Sequence, residues 1–189
     1  MRVEYAAVPG SPPHSEFKTV AVVHAGLGWF IISSLGSTMH FIYEWSGCSD
    51  FAAVFCAVNE SVYEHIKIML FPMLFWWCGA VLVTSRLSDS LNAATGAMYL
   101  SLCLLLVGNA ISQAARFESL GYDIVLFLFC IFYGQLLGVA VFVNRWNLCW
   151  PFFLLAMVIM LFTFTFAPPK WPYLFEDHRN GTYGRPLRC

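Results

Sequence analysis

The sequence predicts an all-α fold, a polytopic transmembrane helix bundle of about five spans, and three observations carry that reading. Hydrophobic residues make up 59% of the chain and charged residues only 11%. A soluble domain carries roughly a quarter charged residues, so this chain has too few to cover a water-facing surface. Its mean hydropathy is +0.68, as expected where lipid is the solvent. The apolar residues also fall into runs of about 20, the length a helix needs to cross some 30 Å of hydrocarbon. Helices are the open-chain solution there, because each satisfies its backbone polar groups within its own segment.

The elements follow in order. Residues 1–18 form a polar leader with Pro9, Pro12 and Pro13. A signal peptide places a basic start directly before a short apolar core; here the apolar stretch begins late and runs long, so it reads as a retained span. Span one covers about Thr19 to Tyr43, span two Ser61 to Ser85, span three Leu91 to Ala115, span four Tyr122 to Val143 and span five Leu148 to Phe166. Residues 19–167 thus form the bundle. Short polar links force sequential neighbours to pack antiparallel. The connection between spans one and two differs. After the turn Ser46-Gly47-Cys48-Ser49-Asp50 comes an apolar stretch, Phe51 to Val58, too short to cross; it reads as a re-entrant or interfacial segment or as an early turn of span two. Gly134 and Gly138 make a small-xxx-small pair suited to close helix contact. Pro168, Pro169 and Pro172 end span five and open a polar tail, 168–189, in which Trp171 and Tyr173 are natural interface anchors.

Charge and cysteine usage exclude some classes. The net charge is −1, and no basic tract could neutralise nucleic-acid phosphates. The partner is the lipid bilayer, and the sequence leaves oligomeric state open. Seven cysteines without a CxxC pair argue against a disulfide framework. Cys78, Cys103 and Cys130 read as apolar packing residues. Cys48, Cys56 and Cys189 fall near one predicted surface, where a single bridge can form. Lys and Arg do not separate the two faces, so orientation is undetermined. Two N-x-S/T sequons, at Asn59 and Asn180, share the carboxy-terminal face.

Two segments hold nearly all the membrane-associated polar chemistry: His40 to Trp45, ending span one, and Asn59 to Lys67, opening span two. Residues four apart share a helix face, so His40 pairs with Glu44, and Glu60 with Glu64 and Lys67, while Ser61 and His65 make a neighbouring stripe. Antiparallel spans bring both segments to one surface. An ionised side chain costs roughly 2.5–3.5 kcal/mol at the bilayer centre and less near its edge, so this collection implies pairing, ion binding or acid–base work. A divalent metal suits His40, Glu60, Glu64 and His65, although their spacing matches no strict zinc motif. A metal-free acid–base pair would use His40 with Glu60 or Glu64. A proton or cation relay is the third option. Against these stands scaffolding: Asn59 capping span two, Glu60 and Glu64 favouring the positive helix end, and Lys67 snorkelling. Asn109 and Gln113, four apart, and Gln135 either glue helices together or line a cavity beneath the cluster. Asp177 or Tyr183 can fold over it from the tail. His24 reads as a packed histidine at the opposite end.

Blocks of this sequence resemble an uncharacterised family of small, mostly bacterial integral-membrane proteins known only as a domain of unknown function. They are His40 to Gly47 (HFIYEWSG), Ala57 to Lys67 (AVNESVYEHIK) with Pro72, Gly134-Gln135, and Pro168-Pro169, Phe175, Asp177 and Gly181 to Gly184 (GTYG). The longer leader and the extra Arg185 to Cys189 depart from its pattern. The resemblance implies the architecture and treats the cluster as one unit, with no activity attached. The pair His40-x3-Glu44 followed by Glu60 or Glu64 is also similar to the emopamil-binding, sterol-isomerase superfamily, which would imply proton transfer at a lipid double bond.

These readings converge on a multi-pass membrane enzyme acting on a lipid-like substrate by acid–base isomerisation or metal-assisted hydrolysis. His40, Glu44, Glu60, Glu64 and His65 would be catalytic. Asn59, Lys67, Asn109, Gln113, Gln135, Asp177 and Tyr183 would orient or bind. A small transporter or ion-binding module, and a non-catalytic accessory subunit, are the competing expectations.

Overall fold

The computed structural model describes residues 14–117, 119–177 and 179–185, with side chains from residue 23 onward. The leader expected over 1–18 therefore lies largely outside the described residues. Among the described residues seven helices follow one another: α1 (His14–Trp45), α2 (Asp50–Phe55), α3 (Val62–Thr84), α4 (Leu87–Ala114), α5 (Leu120–Asn144), α6 (Trp150–Phe166) and α7 (Pro172–Phe175). Val23–Trp45 of α1 and the whole of α3, α4 and α5 are long and apolar enough to cross a membrane. At 17 residues α6 is shorter, about 25 Å at the helical rise. It nevertheless runs the length of the bundle. Just before it, the Leu148 N–H donates to Asn92 Oδ1 in the first turns of α4; near its other end, Tyr63 OH at the start of α3 donates to the Leu161 carbonyl.

Each helix end has a local cause. α1 stops where Gly47 adopts φ +67°, which lets the Cys48 N–H reach back to the Tyr43 carbonyl. α3 starts at Ser61, whose hydroxyl accepts from the Glu64 N–H at 3.4 Å. Asn59, expected as the cap, sits two residues earlier and accepts instead from the Ser61 N–H at 2.9 Å. The stretch expected to be re-entrant or interfacial, or part of span two, is a separate six-residue helix, α2, with Ala53 wholly buried and Phe51 76% exposed.

Small residues set the close approaches. A Cβ on Gly134 would strike the Ser101 hydroxyl and lie 2.8 Å from the Ala97 carbonyl oxygen; one on Gly138 would lie 2.7 Å from the Trp77 ring and 3.1 Å from the Ala93 carbonyl. The Gly134/Gly138 pair therefore docks α5 on α4 within the chain. A second approach joins α1 to α3. Pro72 lacks an N–H, which frees the Ile68 carbonyl of its intrahelical partner. Gly36 packs against that oxygen so closely that a Cβ there would lie 2.7 Å away. The core itself runs along α3 and the first half of α4, where Met69, Leu70, Met73, Ala93, Ala94, Ala97 and Met98 are fully buried.

Cys48 is disulfide-bonded, while Cys56, Cys78, Cys103, Cys130 and Cys149 are free thiols. The bridge that the sequence allowed without supporting it thus involves Cys48 and leaves Cys56 out. Burial pushes the Cys56 thiol above its ordinary range.

Candidate functional site

The end of α1, the segment before α3, the end of α4 and the start of α5 meet at one end of the bundle around a cavity of about 880 Å³. His40 and Glu44 enter it from α1, Asn59 and Glu60 from the segment leading into α3, and His65 from the first turn of α3. Asn109 and Gln113 line it from α4, as the cavity reading of that pair expects. Its other end is apolar, formed by Ile68, Leu105, Leu126 and Phe127. A space with one polar end and one apolar end fits an amphiphile.

Within it, three side chains converge. His40 Nε2 lies 3.4 Å from Glu60 Oε2, and His65 Nε2 lies 4.0 Å from the same oxygen. One ligand atom from each of the three lies within 4.8 Å of the others. The imidazole rings meet edge to face, with centroids 5.4 Å apart. His65 Nδ1 is 2.9 Å from the Ser61 carbonyl. A carbonyl only accepts, so Nδ1 carries the proton and the neutral ring turns the lone pair on Nε2 toward Glu60. The other carboxylate oxygen, Glu60 Oε1, pairs with Arg179 at 3.1 Å.

The expected set of catalytic residues divides here. Glu60 precedes the first residue of α3, so the four-residue helical spacing does not carry it to the face of Glu64. Glu64 turns into the core instead. Its Oε2 lies 2.6 Å from Lys67 Nζ and accepts from the Val58 N–H at 3.0 Å. Lys67, expected to snorkel, is wholly buried and donates to the Ala53 carbonyl at 2.7 Å. It also donates to Thr165 Oγ1 at 3.5 Å. The Glu64–Lys67 pair therefore ties α2 and α6 to α3, and neither residue lines the cavity. Of the two carboxylates expected to pair with His40, it is Glu60 that it reaches; Glu44, on the same face of α1 as His40, lines the cavity as an exposed carboxylate.

The remaining expected residues lie elsewhere. Gln135 is buried with neither side-chain polar atom bonded to protein, close to Trp76 beside Gly28, away from the cavity lining. His24 accepts from Trp76 Nε1 at 3.2 Å and stacks near Trp77 at the far end. The tail does return to the site, but by other groups than expected. Asp177 accepts from the Arg179 N–H, and Tyr183 OH donates to Glu176. These bonds hold the turn that presents Arg179 to Glu60, while Asn59 Nδ2 donates to the Gly184 carbonyl at 2.9 Å. Sequence reasoning missed Asp123 and Arg179, both of which line the cavity. Asp123 had a signal: it is the one charged residue in span four, in its first turn, at the cluster end.

Residues 21–185 correspond to the model of a family of unknown function. No curated protein and no solved structure matches.

Proposed function

Starting from a chain that belongs to the family of unknown function DUF6512, we propose that this multi-pass membrane protein is an enzyme that acts on a lipid-like substrate through His40, Glu60 and His65. The observation that carries the reading is the cavity: two imidazole nitrogens and a carboxylate oxygen gather at the polar end of a space whose other end is apolar. Such a space takes a headgroup at the donors and hydrocarbon beyond them. Phe41, Leu120 and Ile124 line the cavity and are themselves 51%, 77% and 52% exposed, which favours entry from lipid between the ends of α1 and α5.

The chemistry available there is proton transfer. A neutral imidazole takes a proton at Nε2, and Glu60, held by Arg179 on its other oxygen, stabilises the imidazolium that forms. In an isomerisation one neutral imidazole removes a proton beside a double bond while the other, entering the step as an imidazolium, returns one at its far end, and a proton exchange between the two rings restores the starting state. In a hydrolysis the proton comes from water, and the bond to the leaving group breaks. Asn59 and Asn109 sit where they can orient a polar headgroup.

The test is lipid analysis of cells lacking the protein and complemented with wild type, His40→Ala or Glu60→Gln. The reading expects the variants to accumulate the same species as the deletion at normal protein level. Species of unchanged mass would indicate isomerisation, and a heavier uncleaved lipid would indicate hydrolysis. Full complementation by both variants would remove the enzyme reading.

A further inference from the structure

We propose that His40 Nε2, Glu60 Oε2 and His65 Nε2 bind one divalent transition-metal ion of the zinc class. The inference deepens the proposed function by naming a cofactor for that cavity, and it rests on that reading only for the ion's catalytic use. Three features support it.

The first is distance. Zinc bonds of about 2.0–2.2 Å in a tetrahedral site place neighbouring ligand atoms about 3.4 Å apart. His40 Nε2 and Glu60 Oε2 are 3.4 Å apart, His65 Nε2 lies 4.0 Å from that oxygen, and the three ligand atoms fall within 4.8 Å of one another, so binding would draw the histidine side chains inward around the ion. The second is orientation. Metal-bound histidines donate their other ring N–H to a carbonyl or carboxylate. The Ser61 carbonyl accepts from His65 Nδ1 at 2.9 Å, which fixes Nε2 as the free donor atom. Arg179 on Glu60 Oε1 does the same for the carboxylate, leaving Oε2 for the ion. The third is charge. Two imidazole nitrogens and a carboxylate oxygen gathered within 4.8 Å form a set of ligand atoms that a shared cation would draw together. Glu44 and Asp123 line the same cavity and add negative charge around the ion.

Two imidazoles and one carboxylate are the ligand chemistry of zinc, iron and manganese, with zinc favoured by a nitrogen-rich, low-coordinate set. Three protein ligands leave a fourth position. The cavity supplies space for a water or a substrate oxygen there.

The probes are Zn²⁺ and Co²⁺, titrated into the full chain purified in detergent and stripped with chelator. Wild type is expected to bind one ion per chain, with the intense visible absorption of four-coordinate Co²⁺. His65→Ala and His40→Ala should each weaken binding at least ~10-fold, whereas His24→Ala, at the far end, should leave it unchanged. Glu60→Gln serves if the histidine variants do not fold: Zn²⁺ should raise the melting temperature of wild type and not of this variant. Binding that is absent in wild type, or undiminished in His40→Ala and His65→Ala, overturns the metal site. If metal is absent while Glu60→Gln still alters the lipid profile, the metal fails and acid–base enzymology stands. If metal binds while the lipid profile never changes, the site stands and the enzyme reading fails.

Discussion

Glu60 and Glu64 stand four residues apart in one motif, yet they belong to two different chemistries. Glu60 is half-open at the cavity, shared between two imidazoles and an arginine that is 76% exposed. Glu64 is sealed in the core with Lys67, both 2% or less exposed, and its oxygen meets an ammonium and a backbone N–H. The difference arises from one residue. Ser61 caps α3, so Glu64 is in the first turn of a helix while Glu60 lies in the segment before it. A buried ion pair with every partner supplied by the protein has no capacity left for a ligand, and its cost is justified only by what it holds together. A half-open cluster of imidazoles and a carboxylate at a cavity has capacity left over.

The largest expected effect falls on the sealed pair. Lys67→Met removes the cation and leaves the Glu64 carboxylate buried without it, a loss of about 3–5 kcal/mol. Thermal unfolding in detergent should show a large fall or no folded protein. Lys67→Met with Glu64→Leu should recover part of that loss. A single Lys67→Met variant as stable as wild type would break the contrast. Next comes Gly134→Leu, whose side chain has to displace Ser101 and the Ala97 carbonyl. Overpacking of this kind costs about 1–3 kcal/mol, read from the same melts. Glu60→Gln should be the mildest for stability, at most ~1 kcal/mol for a pairing with an exposed arginine, while changing the lipid profile. The smallest effect concerns reactivity. Alkylation of the unfolded, unreduced protein should leave Cys48 unmodified, and prior reduction should release it. In the folded protein Cys56 should resist alkylation, since it is 4% exposed and its thiol is pushed up by burial. Disulfides persist in oxidising compartments, so a protected Cys48 also marks the side of the membrane that the cavity end faces.

Much of this arrangement was legible in the chain. The run Ser61 to Ser85 became Val62–Thr84 because a cap, an apolar run and a polar stop all coincide there. The convergence of His40, Glu60 and His65 followed from two short motifs at adjoining ends of antiparallel helices. The split between Glu60 and Glu64 was not legible, because Asn59 and Ser61 are both good caps and choosing one over the other moves the helix start by two residues. The fate of Lys67 was hidden for a different reason. A lysine near a helix end normally reaches for water, and only the tertiary placement of Ala53 and Thr165 turns it inward. Arg179 could not be found from a tail without periodicity, since its position depends on the turn closed by Asp177 and Thr182.

The central claim is that the cavity triad works while the sealed pair merely holds. It is tested most directly by expressing Glu60→Gln in cells lacking the protein, then measuring the lipid profile beside the melting temperature of the purified variant. The expected result is a deletion-like lipid profile from a protein that melts close to wild type. A wild-type lipid profile from that folded, normally expressed variant would contradict it.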